Sequence, residues 1–477
     1  MKPLAIDEIR RAVRGEWLRA GEPVTVTAVS TDSRTVGPGE LFVAVPGERF
    51  DGHDFVPQAA DAGAAAAIVC KGWQPPAGSD PAPPGGIIAV DDTIRALGDL
   101  GAYHRGLCKA KVVAVTGSNG KTTVKRMIHH ILSRRLTGTC SPKSFNNRIG
   151  VPLALLGARL GDDYVVCEVG SNAPGEIASL GRICRPNVAV ITSVHPVHLE
   201  GLGTVDGVAV EKASLLGELQ ADGLAVVCGD VAPAAGGRAL AQALRAHGRP
   251  TIRFGASEDC QVRLTDYRPQ DGGCRFEVNG RLWVALAVPG RHNALNALAA
   301  MTVARRFASS LEQAAEALAD FAGVAMRTEC IVVGAVTIVN DAYNANPASM
   351  AAAADVLAER PAGRRVMVAG DMLELGPQSQ WLHLQTGREI AARKLDLLIG
   401  VGPMGRYIAQ GAAADGLRAE TFGSVEQAIS ALPAMLQAGD VVLVKGSRSM
   451  GMERLVGPLQ SAFANPPEGG TKKGPAR

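Results

Sequence analysis

The sequence predicts an α/β protein of three domains in a row, the middle one organised around a parallel sheet. Three observations carry that expectation. The chain has 477 residues, and a single hydrophobic core rarely grows past about 250–300 residues, so two or three domains are expected. Short β-branched runs such as Val112–Val115, Tyr164–Cys167 and Val188–Ile191 alternate with stretches of helical length. That is the pattern of a parallel sheet covered on both faces. The composition is 47% hydrophobic and 4% aromatic, with 56 glycines. It suits alanine-rich helices and strands joined by glycine turns rather than a long disordered chain.

In chain order, MKPLAIDEIRRAVRG at the N-terminus mixes charge with apolar residues at helical spacing and lacks the uninterrupted apolar core of a signal peptide. Val24–Val29 reads as a strand that turns at Ser30–Arg34; Leu41–Val45, Ile68–Val69 and Ile87–Val90 complete a small α/β unit. The proline- and glycine-rich stretch Gln74–Gly86 is a loop. A second unit starts at Lys111, with strands Val112–Val115, Tyr164–Cys167, Val188–Ile191 and Leu224–Val227 and a helix over Val124–Arg135. A polar, strand-rich insert spans Cys260–Leu286, and Gly290 opens the alanine-rich helix Ala294–Arg306. The third unit begins near Gly323, with strands Ile331–Val339, Val366–Val368, Leu397–Ile399 and Val441–Val444. The expected domains are 1–108, 109–322 and 323–465, followed by a disordered tail over 466–477.

With 49 basic against 46 acidic side chains the net charge is only +3, so nothing points to a nucleic-acid partner. Nine scattered cysteines without a CxxC pair argue against a disulfide framework or a zinc site. No stretch has the roughly 18–20 apolar residues that span a bilayer, and the cytoplasm is the default location.

The strongest local signal is Gly117-Ser118-Asn119-Gly120-Lys121-Thr122-Thr123, set between a β-branched strand and a helix. Glycines let backbone N–H groups converge on phosphate oxygens, and the helix adds its positive end. Lys121 suits a terminal phosphate and Thr122 suits Mg²⁺. Val115 stands where the general pattern has its first glycine, so this is a variant loop, read as binding ATP or GTP. In open α/β sheets, ligands sit beyond the C-terminal ends of strands, where Glu168, His195, His198, Asp341 and Asp371 fall. Glu168 offers the hard oxygen that Mg²⁺ prefers. On composition alone Lys212, in the helix candidate Val208–Leu216, is an exposed helix lysine, and His195 and His198 are structural.

The constellation resembles the ATP-dependent Mur amino-acid ligases of bacterial peptidoglycan synthesis. The resemblance is carried by Thr31–Arg34, Asp51–His53, TGSNGKTT (116–123), SFNNRIGVP (144–152), EVGSNAPGEI (168–177), HLEGLG (198–203), GRHNALNA (290–297), NDAYNANPASM (340–350), GDMLELG (370–376) and KGSRSMGMERLV (445–456). It implies a three-domain Mur ligase architecture, with a P-loop ATPase-like central sheet and a Rossmann-like C-terminal domain. It also implies a monomer using ATP and two Mg²⁺ ions to add D-alanyl-D-alanine to a UDP-N-acetylmuramoyl-tripeptide.

By similarity, Ser33 and Arg34 contact the uridine end, with Asp51-Gly52-His53 shaping the same region, and Asn146 and Asn147 contact the acceptor peptide or its diphosphate. The loop 117–123 holds the phosphates, with Asn293 on the adenine side and Asp341 on the ribose. Thr122 and Glu168 hold one Mg²⁺; His198 and a carbamylated Lys212 hold the second. Arg327 is the arginine that swings in from the third domain, although Met326 replaces the glycine that commonly precedes it. Within the resemblance, the alternative is a related ligase adding a single amino acid, of which the diaminopimelate-adding enzyme usually carries an Asp-Asn-Pro-Arg motif that is missing here; outside it, the alternative is a P-loop ATPase without ligase activity.

Overall fold

The computed structural model describes residues 1–47, 50–76 and 82–464. The expected tail at 466–477 lies outside the described residues. Three larger sheets follow one another along the chain, with a further two-stranded sheet beside the first.

The N-terminal sheet has five strands in the order Glu16–Ala20, Gly86–Val90, Ala66–Cys70, Glu40–Val43 and Ala28–Ser30, with only the first pair antiparallel. The run 24–29 does not form one strand. Thr25–Val26 pairs with Leu4–Ala5, while Ala28–Ser30 enters the larger sheet. Thr27 makes the switch, its N–H donating to the Gly39 carbonyl at 2.8 Å. Glu16–Ala20 is a largely exposed edge strand whose mixed composition gives no two-residue alternation to read.

The central sheet has nine strands. They run Gly138–Cys140, Tyr164–Glu168, Lys111–Thr116, Val188–Ile191, Leu224–Cys228, Thr251–Gly255, Val262–Gln270, Gly273–Val278 and Leu282–Leu286. The expected parallel arrangement holds through Val262–Gln270, but the last two strands join antiparallel, so the sheet is mixed. On the final strands, the guanidinium groups of Arg268 and Arg275 lie over the Trp283 ring at 4.5 and 5.5 Å.

Both faces of this sheet are covered. Val113 and Val115 point into a core shared with the helices Lys121–Leu132 and Arg291–Arg305; Val112 and Ala114 point into one shared with Gly150–Leu156, Glu176–Cys184 and Val205–Ala213. Two-residue alternation on a strand buried both ways explains why its sequence is apolar throughout. Because Lys111–Thr116 lies between Tyr164–Glu168 and Val188–Ile191, the loops leaving all three strands meet at one end of the sheet, where the site forms.

The C-terminal sheet orders as Glu329–Val333, Val336–Asn340, Asp440–Lys445, Arg364–Gly370, Leu397–Val401 and Ala419–Phe422, parallel except for the first pair. The run Ile331–Val339, expected as one strand, is a hairpin. Gly334 turns it at φ +56°, and a left-handed residue of this kind suits glycine. Among the described residues, no helix is long and apolar enough to cross a membrane.

Candidate active site

The phosphate loop is shaped by steric necessity. Gly117 and Gly120 have φ of +144° and +82°. A Cβ on Gly117 would come within 1.9 Å of Thr192 Oγ1, and one on Gly120 within 2.3 Å of Asn296 Oδ1. The neighbouring strand exit braces the loop. Ser118 N–H donates to the Ser193 carbonyl at 2.9 Å, Asn119 N–H to Ser193 Oγ at 3.0 Å, and His195 N–H to Ser118 Oγ at 2.9 Å. The Ser118 and Asn119 amides are thus engaged, while the first turn of helix Lys121–Leu132 offers an anion the N–H groups that helix geometry leaves unpaired. Lys121 folds back across the loop, Nζ donating to the Gly117 carbonyl at 2.8 Å. Burial pushes its ammonium below the ordinary lysine value; Glu168 opposes that and Arg327 adds to it.

Glu168 ends its strand buried, 1% exposed. Its Oε2 accepts from Thr122 Oγ1 at 2.8 Å and its Oε1 from Asn146 Nδ2 at 3.0 Å. Lys125 Nζ lies 3.4 Å from Oε2. Burial alone would raise this carboxyl, but Lys121, Lys125 and Arg327 together outweigh it and hold the group below the ordinary glutamate value, hence anionic. The pair Thr122–Glu168 therefore presents adjacent hard oxygens with a negative charge, a donor set that fits Mg²⁺ completed by phosphate and water oxygens. Among the described residues no group of three or more His, Cys, Asp or Glu side chains is arranged to hold a metal by itself.

Arg327 reaches this cluster from the C-terminal domain. Its Nη2 donates to Thr122 Oγ1 at 2.9 Å, and its guanidinium lies over the Tyr343 ring at 4.1 Å. Met326 and Thr328, on either side, take φ of +60° and +54°. The left-handed backbone at Met326 is one that favours glycine. A second tie between the domains is made by the side-chain amides of Asn119 and Asn346, which donate to each other at 3.2 and 2.6 Å. Asn346 also caps the helix Pro347–Glu359. A third is His198, at φ +51°, whose Nδ1 bonds the Glu374 carboxylate. That bond is the main reason the Glu374 carboxyl is held below its ordinary value.

These groups surround one cavity of about 1100 Å³ whose wall includes Lys121, Asn146, Asn147, Glu168, His198, Asn293, Arg327 and Asp341. Ser118, Asn119, Gly120 and Thr123 line it as well. Asn147 Oδ1 accepts from the Ile149 and Gly150 N–H groups at 3.1 and 2.9 Å, fixing the start of the next helix. Asn293 is buried, with its amide donating to the Pro289 carbonyl at 2.8 Å. The Asp341 carboxylate is already shared between Lys445 Nζ, at 2.6 Å, and Thr328 N–H, at 3.0 Å.

Lys212 is buried, 1% exposed, and is not among the residues that line the cavity. Burial first, and the like charge of Lys121 second, bring its amine down to about 7. It is therefore no exposed helix lysine. Its neighbour Glu211 caps the helix Glu176–Cys184 by accepting from Gly175 and Ile177 N–H at 2.7 and 2.8 Å.

Ser33 and Arg34 are not brought to the cavity. Ser33 Oγ donates to Gln58 at 3.1 Å. Arg34 pairs with both Asp32 oxygens at 2.8 and 2.7 Å, which holds that carboxyl at about 2. His53 is structural, accepting from Cys70 N–H at 2.9 Å and bonding Asp51 at 2.6 Å. Asp371 is structural too: its Oδ1 accepts from Met404 and Gly405 N–H at 2.9 and 2.7 Å. Sequence reasoning passed over Lys125, Tyr343, Asn346 and Glu374. The last three stand inside the segments 340–350 and 370–376, so position in those segments was the available signal.

Comparison with known proteins agrees with this geometry. Residues 25–105 match the model for the Mur ligase family, catalytic domain, residues 115–304 the Mur ligase middle domain, and residues 326–448 the Mur ligase, glutamate ligase domain. The chain belongs to the Mur ligase family, and it is an ATP-dependent amide-bond ligase of peptidoglycan synthesis. Within that family it is similar to the UDP-N-acetylmuramoyl-tripeptide–D-alanyl-D-alanine ligases. The Escherichia coli (strain K12) enzyme is 37% identical over 467 residues, 96% of this chain and 99% of the relative. The Bacillus subtilis (strain 168) enzyme is 34% identical over 442 residues, 91% and 93% of the two chains. A crystal structure of MurF from Acinetobacter baumannii superposes with a TM-score of 0.86 at 32% identity, covering 97% of this chain and 99% of that one.

Proposed function

We propose that this chain joins D-alanyl-D-alanine to a UDP-N-acetylmuramoyl-tripeptide, in the cytoplasm and as a monomer, with release of ADP and phosphate. The observation that carries the reading is the convergence of Lys121, Thr122–Glu168 and Arg327 on one cavity that also takes in Asn146 and Asn147. In this reading residues 1–108 hold the UDP end through Ser33 and Arg34, residues 109–322 hold ATP, and residues 323–465 bring the dipeptide.

The acceptor carboxylate attacks the γ-phosphorus of ATP, ADP leaves, and an acyl phosphate results. The dipeptide amine then attacks the acyl carbon, and the tetrahedral adduct collapses to amide and phosphate. Two anions must meet in the first step, so the chief demand is neutralisation of charge. Lys121 meets the terminal phosphate, while Arg327 enters from the other domain to the same oxygens. Asn146, donating to Glu168 from the segment 141–149, sets the acceptor beside the phosphate site. Asn293 and Asp341 take the adenosine end. Closure of the C-terminal domain, through the contacts of Arg327, Asn346 and Glu374, excludes the water that would hydrolyse an acyl phosphate.

Magnesium held by Thr122 and Glu168, with a second ion at His198 and Lys212, supplies further positive charge on the phosphates when bound. Lys212 suits the modified form this requires. Carbon dioxide adds to a neutral amine, and an amine brought down to about 7 is about half neutral at that pH, against about one in three thousand for an ordinary lysine. Mass analysis of the product from ATP, D-alanyl-D-alanine and each UDP-linked tripeptide tests the proposal. A mass gain of one D-alanyl-D-alanine residue pair is expected. Incorporation of a single amino acid instead, or ADP release indifferent to the UDP-peptide, would sink it.

A further inference from the structure

Lys125 is a buried cation that the mechanism above does not use. It follows Lys121 by four residues on helix Lys121–Leu132, so the two project from the same face. Unlike most helix lysines it is 0% exposed. Its ammonium donates to the Ser141 carbonyl at 2.9 Å and to the Lys143 carbonyl, and lies 3.4 Å from Glu168 Oε2. Two carbonyls thus accept from the ammonium and a carboxylate pairs with its charge. A methionine would fill similar space without the cost of desolvating a charge, so the cation calls for a reason.

That reason lies in the segment it grips. Residues 141–149 run from the strand Gly138–Cys140 to the helix Gly150–Leu156. Lys143 takes φ +44°, a strained turn for a side-chain-bearing residue, and its carbonyl is one of the Lys125 acceptors. Downstream, Asn146 donates to Glu168 Oε1 at 3.0 Å, and its carbonyl accepts from Gly170 N–H at 2.8 Å. A Cβ on Gly170 would come within 2.9 Å of the Asn146 side chain. The segment is therefore pinned near its start by Lys125 and near its middle by the carboxylate that Lys125 also touches. Asn146, Asn147 and Arg148 stand on the cavity wall between these fixed points and the next helix.

We infer that Lys125 is a positioning residue, tying the acceptor-side segment 141–149 to the phosphate-side carboxylate Glu168 so that both substrates are held in one register. The inference rests on the reading of Asn146 and Asn147 as acceptor contacts. Lys125→Met and Lys125→Gln, made in the full chain, test it by the KM for UDP-linked tripeptide, the KM for ATP, and amide hydrogen exchange without substrates. The acceptor KM should rise about tenfold, the worth of one hydrogen bond to a charged group, while the ATP KM stays within about threefold. Exchange across 141–150 should quicken while that of the helix Arg291–Arg305 holds.

Unchanged exchange across 141–150 overturns the tether, as does an ATP KM that rises as far as the acceptor KM. Exchange needs no substrate. Altered exchange in a protein that ignores the UDP-linked tripeptide therefore counts against the proposed function and leaves the tether standing. If neither variant folds, the unaltered chain decides: Mg²⁺ and ADP should slow exchange over 141–150 as well as over 117–123, and absence of protection at 141–150 refutes the coupling.

Discussion

Replacing Lys212 by methionine isolates the energetic cost of burying that amine. The ordinary lysine value is 10.5 and the folded protein brings it down to about 7, a gap worth about 5 kcal/mol at about 1.4 kcal/mol per pH unit. The sign follows from proton counting. Below pH 7 the amine is charged in both states and the folded protein carries the whole penalty. As pH rises from 7 towards 10.5, the folded state has released its proton while the unfolded chain still holds one, and the penalty fades. Methionine does not titrate. In CO₂-free buffer, Lys212→Met should therefore be the more stable protein at pH 6, and its advantage should shrink by about 2–3 kcal/mol by pH 9. Guanidinium unfolding of both proteins at pH 6, 7, 8 and 9, followed by circular dichroism, measures this directly. A difference between them that stays flat across that range would refute the argument, because the amine would then not be titrating under the influence of burial.

Two further substitutions probe the site. Gly117→Ala places a Cβ 1.9 Å from Thr192 Oγ1 at a backbone φ of +144°; calorimetry should register loss of ADP binding, and binding at the original affinity would contradict the steric account of the loop. Asn346→Ala removes both the amide pair with Asn119 and the cap on helix Pro347–Glu359. It should cost about 1 kcal/mol in the thermal stability of the C-terminal domain and raise the KM for ATP more than Asn344→Ala, a neighbour that makes no bond to the phosphate loop.

The residues legible in advance are those whose chemistry is fixed by local sequence. Glycine-rich turn, lysine and threonine after a β-branched strand specify the phosphate loop without tertiary information, and an apolar strand that ends in Glu168 announces a carboxylate at the sheet end. The hairpin over Glu329–Val333 and Val336–Asn340 was hidden because Val332, 75% exposed, is as β-branched as Val336, 1% exposed; only Gly334 between them marks the turn. Lys125 was hidden because a helix lysine is ordinarily a solvated one, and the carbonyls that receive it come from a segment 16–18 residues away. Glu374 was hidden because its partner His198 lies 176 residues distant, beyond any local pattern. Ser33 and Arg34 carried a family signature, and their neighbours within the same domain are a glutamine and an aspartate that no local pattern pairs with them in advance.

The stacking of Arg268 and Arg275 on Trp283 bears on how the central sheet ends. Leu282–Leu286 is its outermost strand, with one row of backbone groups unpaired by any neighbour in the sheet order, and such an edge invites a strand from another molecule. Arg268, itself paired with Asp266, and Arg275 reach over Trp283 from the two strands inside that edge and cap the indole with charge. Neutralising both arginines would turn a boundary into a seam, and the first sign would be concentration-dependent light scattering rather than a loss of ligation.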